Sequence, residues 1–466
     1  MSRRPGMGRR GWAILATTVA GVALAGSVSL ATGGAGASTR PVVPSRVHID
    51  PALKHNAGRP VAGAFACQDV PLGDPIGRCY SPAQIQKAYD VSPLLAAGKN
   101  GVGRTIVIID AFQDPYLTSE LAEFDSQFGL PAADVTQIAP FGLTAYDNTD
   151  FDQVGWAGEI ALDVQWAHAI APRAKIVLAL SPSDYDVDMG ATLKYVVAHN
   201  LGDVISMSYT ETEGCSDPGA HSDTVMHTAF TQATRKHITL VAGSGDSGAA
   251  TYGCDYETPV KAVSMPNSDP NVTSVGGTNL NAADDGTYIG EAAWSDQFLC
   301  SSPSGDPGDG CSGGGFSSLW ARPAYQSLAN SRLTRGVPDV ALNAGGDGGV
   351  LVDCQSCAAY PDVPPDHGNF WAFAGTSCGG PQWAGLVAIA DQMAGKRLGP
   401  INPALYAIGA TPAVYHQAFH DITHGNNRDA VIGNAGYDTR PNWDPVTGLG
   451  TPDAAKLLPV VVSLIH

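Results

Sequence analysis

The sequence predicts an α/β fold, a parallel, doubly wound sheet with helices on both faces. Two observations carry that expectation. Short apolar, β-branched runs recur along the chain, as they do in strands buried on both faces. Between them lie segments of helical periodicity, and strand–helix alternation of this kind builds a parallel sheet. Ligand sites in such sheets lie outside the carboxyl ends of the strands. The bulk properties agree: 466 residues with 44% apolar content can bury one large domain, and 55 Gly and 33 Pro suit a loop-rich enzyme.

The first 37 residues read as an export signal. Arg3, Arg4, Arg9 and Arg10 form a basic start, Trp12 to Ala31 is apolar and small, and Ala35-Gly36-Ala37 fits a cleavage site. A secreted, extracellular protein with no stable membrane anchor follows, exported by the Sec or the twin-arginine route. Removing four basic residues and no acidic ones takes the net charge from −18 to −18 − 4 = −22. Such acidity argues against nucleic acid as a partner. It suits an acidic environment, where many of the carboxylates are neutral.

Residues 38–78 are polar and Pro-rich, a short leader or arm. From there the alternation begins. Ser81–Tyr89 reads as a short helix, Thr105–Asp110 as a buried strand and Leu117–Phe128 as an amphipathic helix. Further strands are expected at Lys175–Leu180, Val204–Ser208, Ile238–Ala242 and Val272–Val275. Helices are expected at Glu159–Ile170, Met189–Ala198 and Thr224–Arg235. Ala282–Gly315 is rich in Gly, Ser and Asp and reads as a long surface loop.

Nine cysteines in an exported chain imply disulfides and one leftover thiol. Proximity favours Cys67–Cys79, Cys300–Cys311 and Cys354–Cys357, with Cys215–Cys254 at longer range, without fixing the connectivity. Cys378 would be the odd one, a small buried space-filler.

Three stretches carry chemistry. In the first, the apolar run ending at Phe373-Ala374 meets Gly375-Thr376-Ser377, and an apolar helix opens near Pro381. A serine at such a junction has its hydroxyl beside backbone N–H groups that suit an oxyanion. An ordinary helix cap would use the same residues. In the second, Glu159 and Asp163 stand four apart on one helix face with Trp156, Trp166 and Ile170, and no Lys or Arg joins them. Two adjacent acids in an apolar setting share a proton rather than both ionising. The third is the strand Leu240–Ala242 running into Gly243-Ser244-Gly245-Asp246-Ser247-Gly248, where the acid could equally cap its own turn.

Together these stretches resemble the sedolisin family of serine-carboxyl peptidases, relatives of subtilisin in fold, over residues 79–466. The resemblance implies Ser377 as nucleophile, Glu159 as its general base, Asp163 as the group that orients and tunes that glutamate, and Asp246 as a protonated acid in the oxyanion hole. The chemistry is coherent: a serine needs an adjacent base, and a carboxylate fills that role at low pH, where histidine is already protonated. A neutral carboxylic acid donates a hydrogen bond to an oxyanion. The resemblance also implies a Ca²⁺ site made by Asp421, Asp444 and the carbonyls of Ile422, Arg440 and Asn442, a hard all-oxygen set. Arg440 and Asn442 stand where the family usually has glycine. Three other departures are Tyr209 in place of a tryptophan, Cys378-Gly379 after the serine, and the short stretch 38–78 between signal and match, where the family commonly carries a large folded propeptide.

The expected activity is peptide-bond hydrolysis through an acyl-enzyme at acidic pH, on peptide or protein substrates, by a monomer. A Ser-His-Asp hydrolase of the subtilisin type would keep Ser377 and Asp110 but lacks a histidine at a helix start. His168 falls on the helix face opposite Glu159. An inactive, peptide-binding relative is the remaining alternative.

Overall fold

Strand Thr105–Ala111 (β4) sits at the centre of the fold because every residue after Thr105 is buried, which only a strand covered on both faces allows. The computed structural model describes residues 43–44, 48–51, 65–68, 78–215, 222–255, 258–295, 310–360 and 368–465. All of them belong to the unit Ser38–His466. The expected export signal and Cys300 lie outside the described residues.

Three short strands, β1 (Val43–Pro44), β2 (His48–Pro51) and β3 (Cys79–Tyr80), and two short helices, α1 (Pro82–Ala88) and α2 (Ser92–Ala96), precede β4. The main alternation follows: α3 (Leu117–Phe128), β5 (Asp134–Ile138), α4 (Phe151–Ile170), β6 (Lys175–Ser181), α5 (Asp186–His199), β7 (Val204–Met207), β8 (Tyr209–Thr212), α6 (Ser222–Arg235) and β9 (Thr239–Gly243). Strands β10 (Ala250–Tyr252) and β11 (Pro259–Lys261) form a small hairpin, and β12 (Ser264–Met265) pairs with β8. Then come β13 (Thr273–Ala282) and β14 (Tyr288–Ala293), the hairpin of β15 (Gly315–Ala321) and β16 (Thr334–Val337), and β17 (Val340–Asn343). Strands β18 (Gly349–Asp353) and β19 (Phe370–Ala374) lead to α7 (Gly379–Ala394), α8 (Asn402–Gly409), α9 (Pro412–Ala418) and α10 (Ala454–Leu464).

The main sheet runs β14-β13-β9-β7-β4-β6-β5, with β17 also on β13. Every pairing in it is parallel except β13–β14. The parallel sheet expected from sequence is therefore mixed at one edge. Strand β14 falls inside the stretch read as a loop. Its segment Tyr-Ile-Gly-Glu-Ala-Ala is mostly half-buried and lacks the apolar run of a central strand.

Period-two alternation sorts the strand side chains onto two faces. Val107, Ile109 and Ala111 pack with Ile205, Met207, Leu240 and Ala242 under α5 and α6. Ile106 and Ile108 join Leu178, Leu180, Val204 and Val241 on the other face, against α4 and α7. Helix α4 starts eight residues before the expected Glu159, where the Asp150 side chain accepts from the Asp152 N–H as an N-cap. From Trp156 to Ile170 it is buried all round, packed between α3, α7, β4 and β18.

Among the described residues, Cys67–Cys79 and Cys354–Cys357 pair as proximity favoured, Cys215–Cys254 forms the longer-range pair, and Cys311 is also disulfide-bonded. Cys378 is a buried free thiol.

Candidate active site

The site is built where α4 and α7 meet the carboxyl ends of β4, β7 and β9, the place expected for a ligand in this kind of sheet. Strand β19 ends at Ala374, Gly375 turns the chain at φ 129°, and Thr376–Cys378 makes one tight turn before α7. A side chain at Gly375 would strain that φ and bring its Cβ to 2.7 Å from Asp246 Oδ2. Gly243, at the end of β9, is equally constrained, since a Cβ there would lie 2.9 Å from Thr376 Oγ1. These two glycines let the Asp246 loop close on the Ser377 turn.

That closure is held by hydrogen bonds. The Thr376 N–H and hydroxyl both donate to Asp246 Oδ1, at 2.7 and 2.8 Å, and the Gly245 N–H donates to Thr376 Oγ1 at 3.0 Å. Asp246 is thus not a turn acid capping its own loop. It reaches across the fold to the residue before Ser377.

On the facing helix, Glu159 and Asp163 lie one turn apart and are both buried. The Ser208 hydroxyl, just past β7, donates to Asp163 Oδ1 at 2.9 Å. Ser377 Oγ approaches the Glu159 carboxyl closely enough to favour its charged form, short of full hydrogen-bond geometry. Burial raises Glu159 well above the usual glutamate range; the negative charges of Asp163, Asp110 and Asp246 add to it and Ser377 opposes it. Asp163 is raised in the same way by burial and by Asp110, against the lowering effect of Ser208.

Asp110 is the member that the sequence reading placed only at the end of a strand and in the alternative Ser-His-Asp hydrolase. Its position two residues beyond Ile108 turns it toward α4, by the alternation that puts Ile106 and Ile108 on that face. It is fully buried, and desolvation pushes its carboxyl to about 8. Its charge also raises the buried Tyr209, which stands where the family usually has tryptophan. The available signal was an acid ending a continuous apolar strand, the sheet edge where ligands bind. Ser208 and Thr376 carried no such signal, because their partners are distant in sequence.

Two other candidates fall away from the chemistry. Cys378 donates to the Phe373 carbonyl at 3.6 Å, and burial with nearby Glu159, Asp246 and Asp163 keeps it a thiol. His168 is buried on the α3 side of α4, with Nε2 2.8 Å from the Pro131 carbonyl and 3.1 Å from Asp125 Oδ1.

The subtilase family model matches residues 151–412, more than half the chain. The chain belongs to this family. Kumamolisin from Bacillus sp. (strain MN-32) is 32% identical over 391 residues, covering 81% of this chain and 63% of that protein. Sedolisin from Pseudomonas sp. (strain 101) is 28% identical over 394 residues, covering 81% and 60%. The chain thus spans about three fifths of the length of these relatives. The solved structure of Pseudomonas sedolisin, a serine-carboxyl proteinase complexed with two molecules of pseudo-iodotyrostatin, has a TM-score of 0.70 at 25% identity. It covers 84% of this chain and 100% of that one. Within the subtilases the chain belongs with the sedolisins, as its three motifs imply.

At the C-terminal end, backbone N–H groups tie the Arg440–Asn442 turn to Asp421 and Asp444. The Asn442 N–H donates to Asp421 Oδ2 at 3.0 Å, and the Arg440 N–H to Asp444 Oδ2 at 3.1 Å. Asp444 Oδ1 accepts from the Val446 and Thr447 N–H groups, both at 2.8 Å, yet burial still raises its carboxyl to about 6. Asp421 Oδ1 is buried with no hydrogen-bond partner. Asn442 takes a left-handed φ of 64°, which explains how a non-glycine residue serves where the family has glycine. Among the described residues no group of three His, Cys, Asp or Glu gathers for a metal. Any ion here would rest on two carboxylates and backbone carbonyls, a set suited to Ca²⁺.

Proposed function

We propose that this sedolisin relative hydrolyses peptide bonds in acidic surroundings, with Ser377 as nucleophile and Glu159 as its base. The observation that carries the reading is the pair Glu159–Asp163, buried against Ser377 with, among the described residues, no cation in salt-bridge reach of either carboxylate. Ser377 Oγ attacks the substrate carbonyl carbon as its proton passes to Glu159. Asp163, held by Ser208, shares the pair's remaining proton and fixes the orientation of Glu159. Charge then develops on the carbonyl oxygen. Asp246, protonated, donates to that oxygen from the loop tied to the Thr376 backbone, with the Ser377 N–H as second donor. Collapse returns the Glu159 proton to the leaving amine and leaves an acyl-enzyme on Ser377. Water, deprotonated by the same glutamate, releases the acyl group and restores the serine.

Asp421 and Asp444, with the carbonyls of Ile422, Arg440 and Asn442, would hold a Ca²⁺ ion. The ion's chemistry there is to neutralise buried carboxylates and tie two loops together, apart from the hydrolytic step. The orphaned Asp421 oxygen and the raised Asp444 support that assignment. Substrates are peptides or proteins, and the working protein is a secreted monomer. The disulfides fit an oxidising compartment, and among the described residues no helix is long and apolar enough to cross a membrane.

The test is a set of single variants assayed on a mixed peptide library with mass-spectrometric readout. Ser377→Ala, Glu159→Gln, Asp163→Asn and Asp246→Asn should each lower kcat/KM by about 10²-fold or more. His168→Gln should affect stability and leave turnover nearly intact. An active Glu159→Gln beside a dead His168→Gln would overturn the assignment.

A further inference from the structure

We infer that Thr376 is a positioning residue for the oxyanion acid. Its N–H and hydroxyl together occupy Asp246 Oδ1 and keep the acid's proton on Oδ2, the oxygen that donates to the substrate carbonyl. The inference rests on the peptidase reading and adds which oxygen of Asp246 acts there, and what holds it to that task.

A protonated carboxyl serves an oxyanion hole only when its proton is on the right oxygen. A free carboxylic acid exchanges that proton between its oxygens and turns about its last torsion, a broad and roughly two-fold well. Both freedoms have to be removed beforehand for the hydrogen bond to form without reorganisation. Thr376 removes both. Its N–H and its hydroxyl donate to one and the same oxygen, Oδ1, at 2.7 and 2.8 Å. An oxygen that accepts two donors is the carbonyl-like one, so the proton goes to the other. Oδ2 is turned to Gly375, where a Cβ would stand 2.7 Å from it, and Gly375 opens the tight turn that carries Ser377.

The direction of the threonine hydroxyl is itself fixed. The Gly245 N–H donates to Thr376 Oγ1 at 3.0 Å, which leaves the hydroxyl hydrogen for Asp246. Thr376 is fully buried, so water does not compete for that hydrogen. Serine could make both bonds from the same place, whereas valine, with the same shape, makes neither. The backbone around the acid is held by other partners. The Gly310 and Cys311 N–H groups both donate to the Asp246 carbonyl at 2.8 Å, and the Gly313 N–H to the Gly245 carbonyl at 2.7 Å. The Ser244 N–H donates to the Val275 carbonyl at 2.8 Å. Thr376 therefore controls the side chain of Asp246, not the path of its loop.

A donor on a carboxyl oxygen favours the ionised form over the neutral one. Without the Thr376 hydroxyl, Asp246 should hold its proton to higher pH even as it loses its fixed orientation. The titratable groups around it are Glu159 and Asp163 on α4, Asp110 at the end of β4, and Cys378, which burial keeps a thiol. All of them remain in a variant at 376, so the difference reads the hydroxyl.

The experiment measures kcat and KM on one fluorogenic peptide from strongly acidic to neutral pH, for the native protein, Thr376→Val and Thr376→Ser. Thr376→Val should lower kcat about tenfold at similar KM, less than the ~10²-fold or more of losing an oxyanion donor outright. Its alkaline limb in kcat/KM should move up by about one pH unit. Thr376→Ser, which keeps the donor, should recover most of both. If Thr376→Val does not fold, Thr376→Ala makes the same comparison with a smaller side chain. Infrared difference spectra, with Asp246→Asn assigning the band, read the same carboxyl without turnover. The pH at which its protonated C=O stretch is lost should rise in Thr376→Val. A slower Thr376→Val with an unmoved alkaline limb and an unmoved infrared midpoint overturns the inference, and so do native kinetics in that variant. A midpoint that moves in a protein hydrolysing no peptide at any pH keeps the positioning and overturns the peptidase reading instead.

Discussion

Replacing Asp110 with Asn should flatten the loss of stability as pH rises from acid toward mildly alkaline. Asp110 is fully buried at the end of β4, and desolvation moves its carboxyl from 3.8 to about 8. In the unfolded chain the same carboxyl titrates near 3.9, as a solvated aspartate does. Between those two values the folded protein holds a proton that the unfolded chain has released. Stability therefore falls with rising pH across that window, by at most ~1.36 kcal/mol per pH unit. Over roughly four units the loss is on the order of 5 kcal/mol, a large share of the 5–15 kcal/mol typical of folded proteins. Asparagine has nearly the same shape and never ionises, so the variant removes this contribution. Glu159 and Asp163 remain, both raised by burial, so part of the slope should persist. Urea unfolding of both proteins at steps from about pH 4 to pH 8 measures the difference directly. The midpoints should diverge in favour of Asp110→Asn as pH rises. Parallel profiles would show that Asp110 is ionised in the native state, and the reasoning would fail.

Two further outcomes follow from the same site and its C-terminal neighbour. The profile of kcat/KM should be a bell with its maximum below neutrality: the acid limb reports ionisation of the Glu159–Asp163 pair, and the alkaline limb loss of the proton that Asp246 donates. A maximum above neutrality with the protein still folded would rule out this mechanism. Excess EDTA should lower Tm, because an ion bound only by the native state adds about 2.7 kcal/mol at a hundred times its Kd. Unchanged melting, with metal analysis finding no calcium, would remove Asp421 and Asp444 from that role.

Much of the fold was legible because local pattern and burial coincide in a parallel sheet. Thr105–Asp110 was readable as a strand since it is apolar on both faces, and Leu117–Phe128 matches its helix end to end. Strand β14 was not legible, as an edge strand needs no continuous apolar run. The arm strands β1 and β2 lie in a Pro-rich stretch without alternation, and they pair only because partner edges exist elsewhere in the fold.

For the site, the sequence by itself determined the residue types and their local spacing. Glu159 and Asp163 share a face because 3.6 residues make a turn, and Ser377 precedes a helix because a Gly-Thr-Ser turn meets an apolar run. Only the tertiary structure decided which acids meet. Asp246 contacts Thr376 across 130 residues, Ser208 holds Asp163 across 45, and Asp110 joins them through the sheet's alternation. Those approaches depend on strand order and on the tight fit at Gly243 and Gly375, where a single Cβ would intrude. The raised pKa values have the same origin. A carboxylate loses its water only when layers distant in sequence close over it, and no local pattern records that burial.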